Sequence, residues 1–100
     1  MLRRIILDVL KPHIPTIMDV AREISKLKFV EGVRVRTYNR ETKVESVRIT
    51  IEGKKLDFKK INNVLEKMGA SIQSVDVVHA GKRIIKESSH SSWDFYEKSS

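Results

Sequence analysis

The chain has 100 residues, no cysteine, and 20 Lys and Arg against 13 Asp and Glu, which gives a net charge of +7. This length fits one domain, and a domain this small gains stability from a partner or a second copy. The missing cysteines exclude disulfides, thiolate metal sites and a thiol nucleophile, and they favour a reducing compartment. No apolar run approaches the roughly 20 residues that span a bilayer, so we expect a cytoplasmic protein without membrane contact.

The basic excess raises the question of nucleic acid or another anionic partner. Charged residues make up 33% of the chain, a composition that also suits a thermophilic protein with surface ion-pair networks. We interpret most of this charge as solvated surface.

The first half of the chain predicts two strands around one helix. An apolar strand at residues 2–10 ends at Pro12, and a helix follows from Pro15, whose missing amide is no loss in a first turn. The buried stripe of that helix comprises Ile17, Val20, Ala21, Ile24 and Leu27. Alternation after Gly32 predicts a second strand, and residues 39–41 (NRE) predict a hairpin turn.

The second half predicts strand, helix and strand. Residues 47–51 alternate as a third strand that Gly53 terminates, and Asp57 is a good N-cap for a second helix. The apolar stripe of this helix comprises Phe58, Ile61, Val64, Leu65 and Met68, and Gly69 closes it as a left-handed cap. The last strand is predicted at residues 71–78, with residues 82–88 as its extension.

The order βαββαβ predicts an α+β, ferredoxin-like fold, with a four-stranded antiparallel sheet and two helices on one face. The domain spans residues 1–88. Residues 89–100 form a Ser-rich tail that nevertheless carries Trp93, Phe95 and Tyr96, side chains that prefer burial. We predict that these aromatics dock on a neighbouring subunit or on the chain's own surface.

The helices cover one sheet face, and strand parity assigns the side chains of both. The inward set is Ile5, Leu7, Val9, Val33, Val35, Val47, Ile49, Ile51, Val75 and Val77. The outward set is Arg4, Ile6, Asp8, Leu10, Arg34, Arg36, Tyr38, Arg48, Thr50, Ser74, Asp76 and Val78. Ile6, Leu10 and Val78 are more apolar than a free surface requires, which predicts a contact between subunits.

The fold also occurs in RNA-recognition motifs, which stack bases on aromatic residues of the first and third strands. No ring occupies the outward positions of either strand here, so stacking recognition is disfavoured. Non-specific phosphate contact through Arg34, Arg36 and Arg48 is the alternative that the charge leaves open.

Asp8 and Asp76 fall on neighbouring strands and both point outward. Two such carboxylates could share a hard divalent cation such as calcium or magnesium at a subunit interface, or each could pair with an arginine instead. His13, His79 and His90 lack zinc spacing, and no nucleophile elbow or glycine-rich phosphate loop occurs. We therefore predict that the protein is not an enzyme.

Several segments resemble the archaeal family catalogued as domain of unknown function 211. They are LDVLKPH at residues 7–13, FVEGVRV at 29–35, LDF at 56–58 and GASIQSVDVVHAGK at 69–82. The resemblance implies a ferredoxin-like fold, ring-like homo-oligomers of six or more subunits, and no established activity. It marks Asp8, Pro12, His13, Asp57, Asp76 and Gly81 as motif positions. Lys59 and Lys60, at the start of the second helix, and the aromatic tail depart from the family pattern.

These features are compatible with three hypotheses. The first is a self-assembling binding or regulatory module that takes a small ligand or cation between subunits. The second is a basic nucleic-acid-associated protein, and the third is an enzyme whose site forms between subunits.

Overall fold

The computed structural model describes residues 1–86 and contains six elements in the predicted order βαββαβ. The strands are β1 (Leu2–Pro12), β2 (Val30–Arg40), β3 (Val44–Leu56) and β4 (Ser71–Ala80), and the helices are α1 (Ile17–Ser25) and α2 (Phe58–Lys67). The sheet order is β2-β3-β1-β4, and every neighbouring pair is antiparallel. The ferredoxin-like prediction is therefore confirmed, with β2 and β4 at the edges.

Helix α1 begins at Ile17, two residues later than its proline suggested. Thr16 is the N-cap, and Thr16 and Asp19 form a reciprocal capping box, so Pro15 lies before the cap instead of in the first turn. The pair satisfies two backbone donors that the first turn leaves open. The hydrogen bonds from Thr16 also lower the pKa of the Asp19 carboxyl.

Both predicted caps of α2 are present. The Asp57 carboxylate accepts a hydrogen bond from the amide of Lys60 at 3.2 Å, and Gly69 has a left-handed φ of 77° that favours glycine. One member of the predicted buried stripe differs, because Phe58 is 37% exposed. As the first residue of the helix, Phe58 lies at the margin of the core instead of within it.

The core lies between the sheet and the two helices. Its buried members are Ile5, Leu7, Val9, Val20, Ile24, Val47, Ile49, Ile51, Leu56, Ile61, Leu65 and Ala70. Two strands, β1 and β3, contribute to it through alternate residues, as period-2 patterning requires. No helix in the described part of the chain is long and apolar enough to cross a membrane.

Gly53 does not terminate the third strand, which continues to Leu56. A Cβ at position 53 would lie 2.0 Å from the carbonyl oxygen of Phe29. Glycine is therefore required for a close approach between backbones, one of the known uses of glycine inside a strand. The hairpin turn also lies slightly later than predicted, since β2 ends at Arg40 and β3 begins at Val44.

A bulge in β4 reverses the predicted parity of two valines. Ile6 is paired with Val77 and Leu7 with Val75, which leaves Asp76 as an additional residue. Val78 is consequently opposite Ile5, on the helix-covered face, while Val77 takes the open face opposite Ile6. A single extra residue inverts the facing of the later residues of the strand, because the strand period is two.

Strand β4 ends at Ala80, so the predicted extension is wrong for residues 82–86 and lies outside the described residues for 87 and 88. Gly81 has a φ of 117°, a conformation that favours glycine. The chain then turns across the end of the sheet, where the Arg3 guanidinium donates both to the carbonyl of Lys82 and, at 3.1 Å, to that of Gly53.

Candidate functional site on the open face of the sheet

One row of polar side chains crosses all four strands on the open face. Arg36 of β2 is opposite Arg48 of β3, Arg48 is opposite Asp8 of β1, and Asp8 is opposite Ser74 of β4. Directly opposite residues share a face and bring their Cβ atoms within about 5.5 Å. Two predicted anion contacts and one predicted cation ligand therefore form a continuous row.

Tyr38, on the edge strand β2, contacts two residues of this row. Its hydroxyl reaches over β3 and donates a hydrogen bond to Oδ1 of Asp8, while the Arg48 guanidinium carbon lies 5.8 Å from the ring centroid. This separation is within cation–π range. The hydrogen bond to Asp8, together with partial burial, raises the pKa of the Tyr38 hydroxyl above its ordinary value.

Asp76 also belongs to this cluster. Its Oδ1 accepts a hydrogen bond from Ser74 Oγ at 2.8 Å, and Ser74 is the direct partner of Asp8. The two predicted carboxylates thus lie on adjacent strands, each with a hydroxyl donor. Within residues 1–86 no group of three or more His, Cys, Asp or Glu could hold a metal ion. The cation site stays a prediction.

A second polar row on the same face lies four residues away along β1, beyond the row that contains Ile6 and Thr50. Arg4 pairs with Glu52 at 2.6 Å between Nε and Oε2, and His79 is opposite Arg4 on β4. The Nδ1 atom of His79 is buried and lacks a hydrogen-bond partner among the described residues. The outward facing of Arg4 was predicted from the sequence. Its neighbours Glu52 and His79 were not predicted, because they depend on the pairing register of the strands.

A shallow hollow of about 230 Å³ adjoins this row at the β2 edge. Its lining comprises Gly32, Val33, Arg34, Thr50 and Glu52. Gly32 contributes no side chain, which leaves room beside the guanidinium of Arg34. The hollow thus lies beside one predicted contact residue, Arg34, and one acidic residue, Glu52.

The residues predicted to form apolar contacts between subunits differ in their solvent exposure. Ile6 is only 8% exposed, because its own sheet neighbours cover it, and Leu10 is half-buried. Val78 is 53% exposed but faces the helix side. Trp93, Phe95 and Tyr96 lie outside the described residues. Contact between subunits through this set stays a prediction.

A buried ion pair, not predicted from the sequence, joins β1 and β3. Lys11 and Glu45 are opposite each other on β1 and β3, only 1% and 6% exposed, with Nζ and Oε1 2.8 Å apart. The hydrogen bond from Lys11 lowers the pKa of Glu45. Both residues continue the inward parity of their strands, which is the signal that could have revealed them.

Residues 11–13 (KPH), which belong to the family resemblance, form several hydrogen bonds around this ion pair. Lys11 Nζ also donates to the carbonyl of Pro12 at 2.6 Å and to that of His13 at 3.4 Å. His13 Nε2 lies 2.8 Å from the carbonyl oxygen of Glu41 in the β2–β3 turn. These contacts join the β1–α1 loop to the hairpin, so we assign the motif positions at 12 and 13 a structural role.

Comparison with known proteins agrees with the resemblance. Residues 3–93 match the sequence model of the domain of unknown function 211 family, which is described as an uncharacterised ArCR. The chain is also 45% identical over 86 residues to an uncharacterised protein of Methanocaldococcus jannaschii. That alignment covers 86% of this chain and 89% of the relative.

Proposed function

We propose that this chain, which belongs to the domain of unknown function 211 family, is a non-catalytic module that self-associates along β4 and binds a divalent cation or small ligand between subunits. The observation that carries the proposal is the incomplete cover of β4. Val75 and Val78 are 46% and 53% exposed. Their partners on β1, Leu7 and Ile5, are fully buried.

The helix layer stops short of this edge. Val75 and Val78 lie on the helix-covered face, yet neither belongs to the core or to the half-buried residues that pack against it. A second copy that covered them would recover roughly 1 kcal/mol for each valine, about half of what full burial from water provides. A domain of this size benefits from such burial.

The two edges of the sheet differ in their protection. Strand β2 carries Arg34, Arg36 and Arg40, whereas the only formally charged residue within the ten residues of β4 is Asp76. Charged edge strands resist pairing with another chain, and weakly charged ones permit it. The bulge at Asp76 interrupts this edge, so we expect pairing along it to be limited to short segments.

Association would also complete a cation site. Calcium takes six to eight oxygen ligands, more than Asp8, Asp76 and the Ser74 hydroxyl can supply. Asp76 is exposed at the β4 edge, so its carboxylate can reach oxygens of a second subunit. We therefore expect calcium to bind to the assembly more tightly than to a single chain.

The absolute mass of the protein in solution tests both the self-association and the cation site. We expect multi-angle light scattering to give a defined multiple of 11.6 kDa, and Val78→Lys to reduce it towards one chain. Met18→Lys is the matched control, because Met18 is exposed on α1, away from β4. The measurement is repeated with calcium and with a chelator. A wild-type monomer at micromolar concentration would refute self-association, and a mass and calcium titration indifferent to Asp76→Asn would refute the cation site.

A second candidate function rests on the positive side of the open face. Arg34, Arg36 and Arg48 lie on adjacent strands and share that face, so they could contact successive phosphates. Retention on single-stranded DNA near physiological salt, and its loss in Arg36→Glu, would favour nucleic-acid association. Release at modest salt would mark the contact as incidental.

A further inference from the structure

A second hollow lies at the opposite margin of the fold from the β2–β3 turn. It measures about 530 Å³ and is lined by Phe29, Lys55, Leu56, Asp57 and Phe58. Since a cavity of roughly 150 Å³ accommodates a benzene ring, this space can receive more than one aromatic side chain. The two phenylalanines supply an apolar floor.

Four lysines, here called the lysine rim, lie in this part of the chain, and one of them, Lys55, lines the hollow itself. Lys54, Lys55, Lys59 and Lys60 are exposed on the last residues of β3 and the first turn of α2. No acidic residue occurs in that first turn, although acids there would be stabilising and lysines there are not. Asp57 is occupied by the amide of Lys60. No ion pair involves these four lysines among residues 1–86.

After β4, Lys82 lies at the same end of the sheet as this hollow. Leu2 is opposite both Leu56 of β3 and Ala80 of β4, so the two strands end on either side of β1, about 10 Å apart. The Arg3 guanidinium then holds the Lys82 carbonyl beside that of Gly53. Phe29 adjoins Gly53. From residue 86 to residue 93, seven peptide units can reach up to about 24 Å.

The sequence beyond residue 86 has the complementary chemistry. Residues 93–97 read WDFYE, three aromatic side chains interleaved with two acids. Aromatic rings fit an apolar floor of phenylalanine, and the intervening carboxylates suit a rim of lysines and a helix N-terminus. No other stretch of five residues in the chain combines three aromatics with two acids.

We infer that the hollow formed by Phe29, Leu56 and Phe58 and its lysine rim is the docking site of the chain's own residues 93–97. The segment seats its rings on the phenylalanine floor and its Asp94 and Glu97 carboxylates among the lysines. This contact is intramolecular, and it does not depend on the self-association proposed above. The acidic residues of the docked segment would offset the unfavourable placement of Lys59 and Lys60 at the N-terminus of α2.

The single tryptophan of the chain, Trp93, reports on docking directly. In the wild-type chain of 100 residues we expect blue-shifted emission and protection from acrylamide quenching, both independent of protein concentration. The double variant Lys55→Glu/Lys59→Glu should lower the docking equilibrium constant by about tenfold, because two surface attractions become repulsions. Its emission should approach that of the urea-unfolded chain, and high salt should have a smaller effect of the same sign on the wild type.

Two controls separate docking from general effects. Lys43→Glu reverses an equally exposed lysine in the β2–β3 turn and should leave the emission unchanged. Adding Asp94→Lys/Glu97→Lys to the rim variant should restore protection, which a merely misfolded protein could not show. Far-UV circular dichroism verifies the fold of each variant.

Solvent-exposed Trp93 in the native wild type, or protection unaffected by the rim variant, would overturn the inference. Protection that appears only as the particle mass rises would overturn the intramolecular assignment in favour of a neighbouring subunit's hollow. Light scattering on the same samples reads self-association separately, so the docking inference and the proposed function can fail independently.

Discussion

The buried pair of Lys11 and Glu45 gives the sharpest stability prediction. Glu45→Gln would leave an ammonium that is 1% exposed with neutral acceptors only and no counter-charge. Removing one partner of such a pair costs about 3–5 kcal/mol, a large part of the roughly 5–15 kcal/mol that stabilises a small domain. For a chain of this size that loss corresponds to a melting temperature lower by roughly 12–40 °C.

The double variant Lys11→Met/Glu45→Leu should behave differently. It fills the same volume without charge, and such replacements are often neutral or stabilising by about 1–4 kcal/mol. The Pro12 and His13 carbonyls lose a donor at the same time, so we expect near-neutral stability. Urea unfolding followed by far-UV circular dichroism measures each variant, with an unchanged slope as evidence that only stability differs.

The pH dependence supplies an independent check. The pKa of Glu45 is lowered in the folded protein, first by the hydrogen bond from Lys11. Its stabilising contribution is therefore present above the ordinary pKa of a glutamate and is lost as the pH falls through the lowered folded value. Glu45→Gln should flatten the acid limb of the stability profile. A loss below 1 kcal/mol in Glu45→Gln, or a double variant that is no more stable than Glu45→Gln, would refute this account of the ion pair.

Three further predictions concern other contacts. Gly53→Ala should cost at least about 1–3 kcal/mol, as overpacking does, whereas Gly32→Ala, whose Cβ would meet nothing within 4 Å, should be nearly neutral; equal urea midpoints would contradict this. Thr16→Ala should lower stability by about 0.5–2 kcal/mol through loss of the capping box, and Thr16→Ser should retain most of it in the same assay. In an ultraviolet pH titration, Asp8→Asn should lower the raised pKa of Tyr38, and an unchanged tyrosine titration would argue against their hydrogen bond.

Much of the fold followed from local patterns. Alternation identified the paired strands, and Asp57 and Gly69 marked the ends of α2 because caps obey short-range rules. The order of elements then restricted the topology to the ferredoxin-like arrangement. Pro15 placed the start of α1 two residues too early, since the reciprocal bonds of Thr16 and Asp19 fix the helix start at Ile17.

The candidate site was predicted less completely. Parity placed Asp8, Arg36 and Arg48 on one face, as the structure has them. The reach of Tyr38 to Asp8 was not predicted, because it depends on the side chain crossing a neighbouring strand. Val78 was predicted on the wrong face, because no local sequence signal predicts the bulge at Asp76.

The sequence by itself determined the class of the protein: one small basic α+β domain without cysteine, with its apolar residues in strand and helix periods and a family resemblance that the comparisons confirm. Periodicity and capping depend on residues that are close together in the chain, so they can be recognised from the sequence alone. Only the tertiary structure decided that Lys11 and Glu45 meet in the core, that Gly53 admits the Phe29 carbonyl and that β4 lies partly uncovered. Each of these depends on register between segments distant in the chain, and local sequence preference does not fix that register.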